Sequence, residues 1–208
     1  MKDNLASIGI GALIIFIAMI LVAGVTASVL IQTMNNLQEQ ALLTGEETLR
    51  DISSGLEVTH VSGKKIGSNI DQIAIFIQPL TASDDVDLTY TYLSLSDSDT
   101  TLVLNYTTKC FSSSASSGLF STINASNLSS TTYGLVVIRD IDGSITSTSP
   151  SINNRDLVVI IVNTTKCFSG LSTRTEVFGS VTPEYGINGI IGFITPDAYV
   201  DTIIDLQP

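Results

Sequence analysis

Few residues in this chain are equipped for chemistry. Its only cysteines, Cys110 and Cys167, each follow a Lys in a phrase used twice, "NYTTKCF" at 105–111 and "NTTKCF" at 163–168. Two cysteines in an exported domain are more often bonded than free. Each phrase follows an apolar run, "TLVLNY" or "DLVVIIVN", and so marks a strand exit. If those strands are neighbours with exits at the same end, a Cys110–Cys167 disulfide closes a loop of about sixty residues and contributes about 4 kcal/mol; two buried thiols are the alternative. A single histidine, His60, argues against His-based acid–base chemistry and reads as a strand residue. With no nucleophile–base pair to assemble, the chain does not read as an enzyme. Asp140 and Asp142 in "RDIDGS" (139–144) could offer hard oxygens to Ca²⁺, but the distal acid of a calcium loop is missing and an Asp-Gly hairpin turn explains them more simply. Four Asn-x-Ser/Thr sequons, at Asn105, Asn124, Asn127 and Asn163, offer amides for N-linked glycans.

The elements that would carry these groups differ sharply in texture. Hydrophobic residues make up 44% of the 208-residue chain, charged residues 14%, and the formal net charge is −11, which excludes a basic nucleic-acid-binding surface. No charge occurs between Asn4 and Gln38, and residues 8–31 are apolar on every face, with Thr26 and Ser28 the only hydroxyls. About 20 such residues suffice to cross a bilayer, and the run is too long for the apolar core of a removed secretory peptide. Leu30, Met34, Leu37, Ala41, Gly45, Leu49, Ile52 and Leu56 then step by threes and fours, the stripe of an amphipathic helix. No Pro interrupts residues 1–78. The pattern predicts one helix from about residue 6 to 54, roughly 70 Å long and more than twice a bilayer's thickness. It suits either a membrane anchor with a stalk or a segment that packs among copies of itself.

After Gly55 the period changes to two. Short β-branched runs at 56–61, 70–78, 86–95, 101–106, 133–140, 156–163, 174–181 and 189–195, separated by turn residues, predict seven to nine strands in an Ig-like antiparallel β-sandwich or barrel. "GKKIGSN" (63–69) reads as a turn, and Val86, Leu88, Tyr90 and Tyr92 share one face. "DDVD" (84–87) reads as a solvated strand start, and the Ser-rich stretch 112–132 as a flexible exposed loop. The fold class is therefore α+β, with an apolar helical domain at 1–55 and an outer β domain at 56–208.

The residues also carry a family resemblance. "IGIGALIIFIAMILVAGVTASVLIQT" (8–33) resembles the N-terminal segment of archaellins, the archaeal flagellins, and "TGEET" (44–48) and "SGLEV" (54–58) fit its continuation. "YGLVVIRDIDGS" (133–144), "SPSINNRDLVVIIVNTT" (149–165) and "RTEVFGSVTPEYGINGIIGFITP" (174–196) resemble the family's C-terminal half, while about 80–130 matches little beyond pattern. The resemblance implies a precursor inserted in the membrane with a type IV pilin-like leader, trimmed by a prepilin-type peptidase. A motor and assembly platform then packs the helices into the core of an extracellular filament used for swimming and adhesion. Ile10, Leu13, Phe16, Ile17, Leu21, Val25, Leu30, Met34 and Leu37 would form that polymerisation core, with the chain itself, or related archaellins, as partner. The outer β domains would form a glycosylated shell, and in some members they hold a metal; no other cofactor is implied. The start "MKDNLAS" lacks the usual basic run and Gly: either the leader is atypical, with a cut near Leu5–Ala6 or Ala6–Ser7, or the numbering does not start at the usual precursor. An archaeal adhesion pilin or a membrane-tethered surface glycoprotein would share the helix and sequons, but "TRTEVFGSVTPEYG" (173–186) favours the archaellin.

Overall fold

The computed structural model describes residues 2–80, 85–116, 118–153 and 155–208, with side chains from Gly9 onward. The leader cut expected at residues 5–7 falls where side chains lie outside the described residues, as do Asp84 of "DDVD" and Ser117 of the Ser-rich stretch.

Helix α1 runs Lys2–Ser53, 52 residues without a break. Three of its threonine hydroxyls bond back to its own carbonyls. Thr26 Oγ1 donates to Val22 O (3.0 Å), Thr33 Oγ1 to Leu30 O (2.9 Å) and Thr48 Oγ1 to Thr44 O (2.7 Å). This removes the penalty of an unpaired hydroxyl in an apolar environment.

The chain divides into two compact units, residues 1–48 and 49–208. In the second, the elements are β1 Leu56–Ile66, β2 Asn69–Pro79, β3 Val86–Asp87, β4 Tyr92–Ser96, β5 Thr101–Ser112, α2 Leu119–Thr122, β6 Thr132–Arg139, β7 Ser151–Ile152, β8 Leu157–Asn163, α3 Thr164–Phe168, β9 Glu176–Thr182, β10 Gly189–Ile194 and β11 Ile203–Gln207. A 3₁₀ turn at Ala125–Asn127 lies between α2 and β6. Nine strands form one sheet in the order β10-β9-β4-β5-β6-β8-β2-β1-β11, and β3 pairs with β7 apart from it. Every pairing is antiparallel except β5 with β6. The outer strands approach each other: the Gln207 side chain of β11 accepts from Gly192 N of β10 at 3.0 Å. The domain is thus a nearly closed barrel, the second of the two architectures its strand pattern allows.

The interior is filled by alternate residues such as Ile73, Ile75, Leu93, Leu135, Ile160 and Ile191, all buried. The opposite faces of β2, β6 and β8 are buried too. Ala74, Val136, Val159 and Ile161 lie under Phe120, Ile123 and Leu128, which come from the Ser-rich segment. Coverage on both faces explains why "LVVIIV" is continuously apolar rather than alternating.

Three local expectations need correction. The strand at 56–61 continues through Ile66, and only Gly67-Ser68 turns the chain back. The run 86–95 is split. Asp87 Oδ1 accepts from Thr89 N (2.8 Å) and Leu88 O from Thr91 N (3.4 Å), a side-chain-closed turn that leaves Tyr90 and Tyr92 exposed while Val86 and Leu88 stay buried. The Ser-rich stretch is a cover held by apolar plugs rather than a free loop. At the end of α1, Ser54 O accepts from Ile187 N (2.9 Å). Gly186, at φ +96°, lies so close beneath that a Cβ there would fall 2.3 Å from Ser54 O.

Candidate functional site

Three features have the residue types for a function: the apolar helix, an acidic cluster and the two phrase copies with their sequons. On α1, every residue from Gly9 to Ser53 is exposed. The nine residues expected in a polymerisation core are 48–69% exposed. Covering each would contribute roughly 1.5–3 kcal/mol, so a partner surface or a bilayer has much to offer this helix and water has nothing.

The acidic cluster is larger than its sequence motif. Asp140, Asp142 and Asp156 bring carboxylate oxygens within 4.8 Å of one another. Asp140 accepts from Gly143 N (2.7 Å) and Ile145 N (3.2 Å), Asp142 from Ser144 N (3.1 Å) and the Asn153 amide, and the buried Asp156 from Ile141 N (3.3 Å) and Asn153 N (3.1 Å). The Asn153 and Ser144 donors hold the Asp142 carboxyl below its ordinary range. Each oxygen retains a second lone pair, so this all-oxygen set fits a hard cation. The Asp-Gly pair is not a hairpin turn: it lies in the connection between β6, in the main sheet, and β7, in the small one. Asp156 escaped the sequence reading because it lies 14 residues beyond Asp142. Its signal was an acid directly before the apolar run "LVVIIV".

The repeated phrase has two different structures. The first copy is not a strand exit; β5 runs through it to Ser112. The second leaves β8 and folds into α3. β5, which holds the first copy, runs opposite to β8, which leads into the second. Cys110 is buried in the cluster beneath the Ser-rich cover, whereas Cys167 packs against the barrel interior. Both thiols are free, which corrects the expected Cys110–Cys167 bridge. Burial pushes the Cys167 thiol up to about 11 and raises Cys110 as well, against the nearby Lys109 and Lys166, so both are protonated and poorly nucleophilic at neutral pH.

The sequons differ in the same way. Asn105, Asn124 and Asn127 are exposed. Asn163 is 8% exposed, not on the exterior as expected. Its Oδ1 accepts from Lys166 N (3.1 Å), capping α3, and its Nδ2 donates to Ala125 O (2.9 Å). Lys166 Nζ donates to Ser126 O (2.8 Å) and Leu128 O (2.6 Å). His60 approaches Asp205 at 3.4 Å and tilts against the Phe76 ring, in keeping with a strand residue.

The archaeal-type flagellin family profile matches residues 6–193. Flagellin B2 of Methanocaldococcus jannaschii is 39% identical over 211 residues, covering 100% of this chain and 97% of that protein. The crystal structure of archaeal flagellin FlaB1 from the same organism superposes with a TM-score of 0.69 at 35% identity, covering 74% of this chain and 97% of that one. A chain from the archaeal flagellum of Methanospirillum hungatei strain JF1 shares the fold at a TM-score of 0.66 and 14% identity, over 96% of this chain and 99% of its own.

Proposed function

This chain belongs to the archaeal-type flagellin family and is a structural filament subunit, and on that premise we propose that copies of it polymerise through α1 into a rotated extracellular filament. The observation that supports this most is the helix itself: 45 described residues, Gly9–Ser53, with a mean hydropathy of 2.8 in the most apolar window and none of that window buried in one chain. A bilayer can hold such a helix before assembly and sister helices can hold it afterwards. The self-satisfied threonine hydroxyls let it move from one to the other without breaking a hydrogen bond. A prepilin-type peptidase and a membrane motor and assembly platform are the further partners this reading requires. The β domains then face outward, where N-glycans add to a shell that already carries net negative charge. Asp140, Asp142 and Asp156 would hold a Ca²⁺ ion, which would tie the β6–β7 connection to the head of β8.

Replacing Ile17 or Leu21 with Asp tests the core. A buried, unpaired carboxylate costs several kcal/mol per subunit, so electron microscopy of sheared cells should find no filaments carrying either variant. Normal filaments would refute the core assignment. Wild-type chain recovered only as monomer after gentle solubilisation would point instead to a tethered surface glycoprotein.

A further inference from the structure

Four sequons look equivalent in the sequence, yet one of them is built into the fold. An N-linked glycan replaces one hydrogen of the Asn amide and needs a path to solvent. Asn105, Asn124 and Asn127 have one. Asn163 does not: its side chain lies beneath the 3₁₀ turn that carries Asn124 and Asn127, with its oxygen engaged by Lys166 N and its nitrogen by Ala125 O. Lys166, in the same phrase, reaches two further carbonyls of that segment, Ser126 O and Leu128 O. These three donor contacts cover the 3₁₀ turn and the residue after it, between the apolar plugs Ile123 and Leu128, which are 6% and 1% exposed. A sugar on Asn163 Nδ2 would have to displace this turn and uncover Val159 and Ile161 below it.

We propose that Asn163 is a clamp rather than a glycan acceptor. With Lys166 it holds the 125–128 turn on the barrel, so that the turn presents Asn124 and Asn127 to solvent as acceptors. The second copy of the repeated phrase thus keeps a sequon's spelling because an Asn N-cap followed by Thr-Thr-Lys is what the clamp needs. Asn163 caps α3, and Thr164 Oγ1 donates to Ile70 O (2.6 Å) at the base of the same helix. The first copy sits in a strand, has no cap to make, and leaves Asn105 free for modification.

The acceptor half of this inference rests on the glycosylated-shell reading; the clamp half does not, and the test separates them. Trypsin cleaves native subunits so that Asn105 falls in peptide 66–109, Asn124 and Asn127 in 110–139, and Asn163 in 156–166. Mass spectrometry should find glycan on the first two peptides and peptide 156–166 unmodified. Thr165→Ala, which destroys the sequon but leaves Asn163, should change the intact subunit mass only by the substitution. Glycan on 156–166, or a glycan-sized loss in Thr165→Ala, overturns the proposal. Asn163→Ala should speed amide exchange across 123–130 by roughly tenfold; unchanged exchange overturns the clamp. If all three peptides are unmodified, the shell reading and the acceptor half fail, and the exchange experiment alone decides the clamp.

Discussion

Asp156 shows how much can depend on one side chain that no motif announces. It is fully buried, and its two oxygens terminate the amides of Ile141 and Asn153, on either side of the β6–β7 connection. Asp156→Ala leaves both amides unpaired, and hydrogen bonds to a charged acceptor are worth roughly 1.5–3 kcal/mol each. The expected outcome is a loss of about 3 kcal/mol in urea unfolding of the full chain in detergent, without any cation present. Asp142→Asn, by contrast, removes charge from an exposed site and should act chiefly on cation binding. Added Ca²⁺ should raise the thermal midpoint of the wild type, by an increment equivalent to roughly 2.7 kcal/mol at a hundredfold excess over the dissociation constant, and leave Asp142→Asn nearly unmoved. A wild-type midpoint indifferent to Ca²⁺ would remove the metal from the account of this domain. Asp142 illustrates a limit of sequence reading: the Asp-x-Asp-Gly spelling was visible, but the third carboxylate joins it only through strand topology.

At the scale of elements, the backbone that follows α1 is tightly constrained. Gly55 and Gly186 face each other's neighbouring backbone, and a Cβ on Gly186 would meet Ser54 O at 2.3 Å with φ at +96°. Backbone cannot swing aside as a side chain can. Gly186→Ala should therefore destabilise by roughly 2–4 kcal/mol, adding the clash to the left-handed strain, and thermal unfolding monitored by circular dichroism would show it; a midpoint within a degree or two of wild type would mean the junction can open. Much of this layer was legible. The helix was readable within a few residues because lack of charge and lack of Pro leave few other solutions, and "IDQIAIFIQ" ended at Pro79 as expected. β5 was read too short, since its second half, "TTKCFS", is polar and owes its extension to pairing with β6, a partner distant in sequence. β11 was missed because "TIIDLQ" is too short to stand out. The break between β3 and β4 was hidden in Asp87, whose side chain replaces a backbone bond. The disulfide expectation failed because Cys110 packs under the Ser-rich cover and Cys167 against the barrel interior, a division that spacing does not encode.

The whole molecule combines a helix that needs partners with a domain that must not stick to its neighbours. The formal charge of −11 keeps outer surfaces apart at neutral pH. As pH falls toward the sequence pI of about 4.2 that repulsion vanishes, so filaments should bundle near pH 4, disperse again when neutralised, and show this as a reversible rise in light scattering. Bundling should precede unfolding. Asp142 and Asp197 have carboxyls held below the ordinary carboxylate range, by Asn153 and by Arg174 respectively. A depressed folded value contributes stability that is complete above the unfolded pKa and is lost as pH falls on through the folded one, which lies below the pH at which bundling begins. Irreversible unfolding that coincides with bundling would contradict this order. The unbridged thiols extend to where such a subunit can be made and used. A barrel that packs Cys110 and Cys167 as small apolar side chains draws no stability from electron loss. It needs no oxidant, no partner enzyme to shuffle bonds and no aerated surroundings. Its unfolding midpoint should therefore be the same with and without a strong thiol reductant.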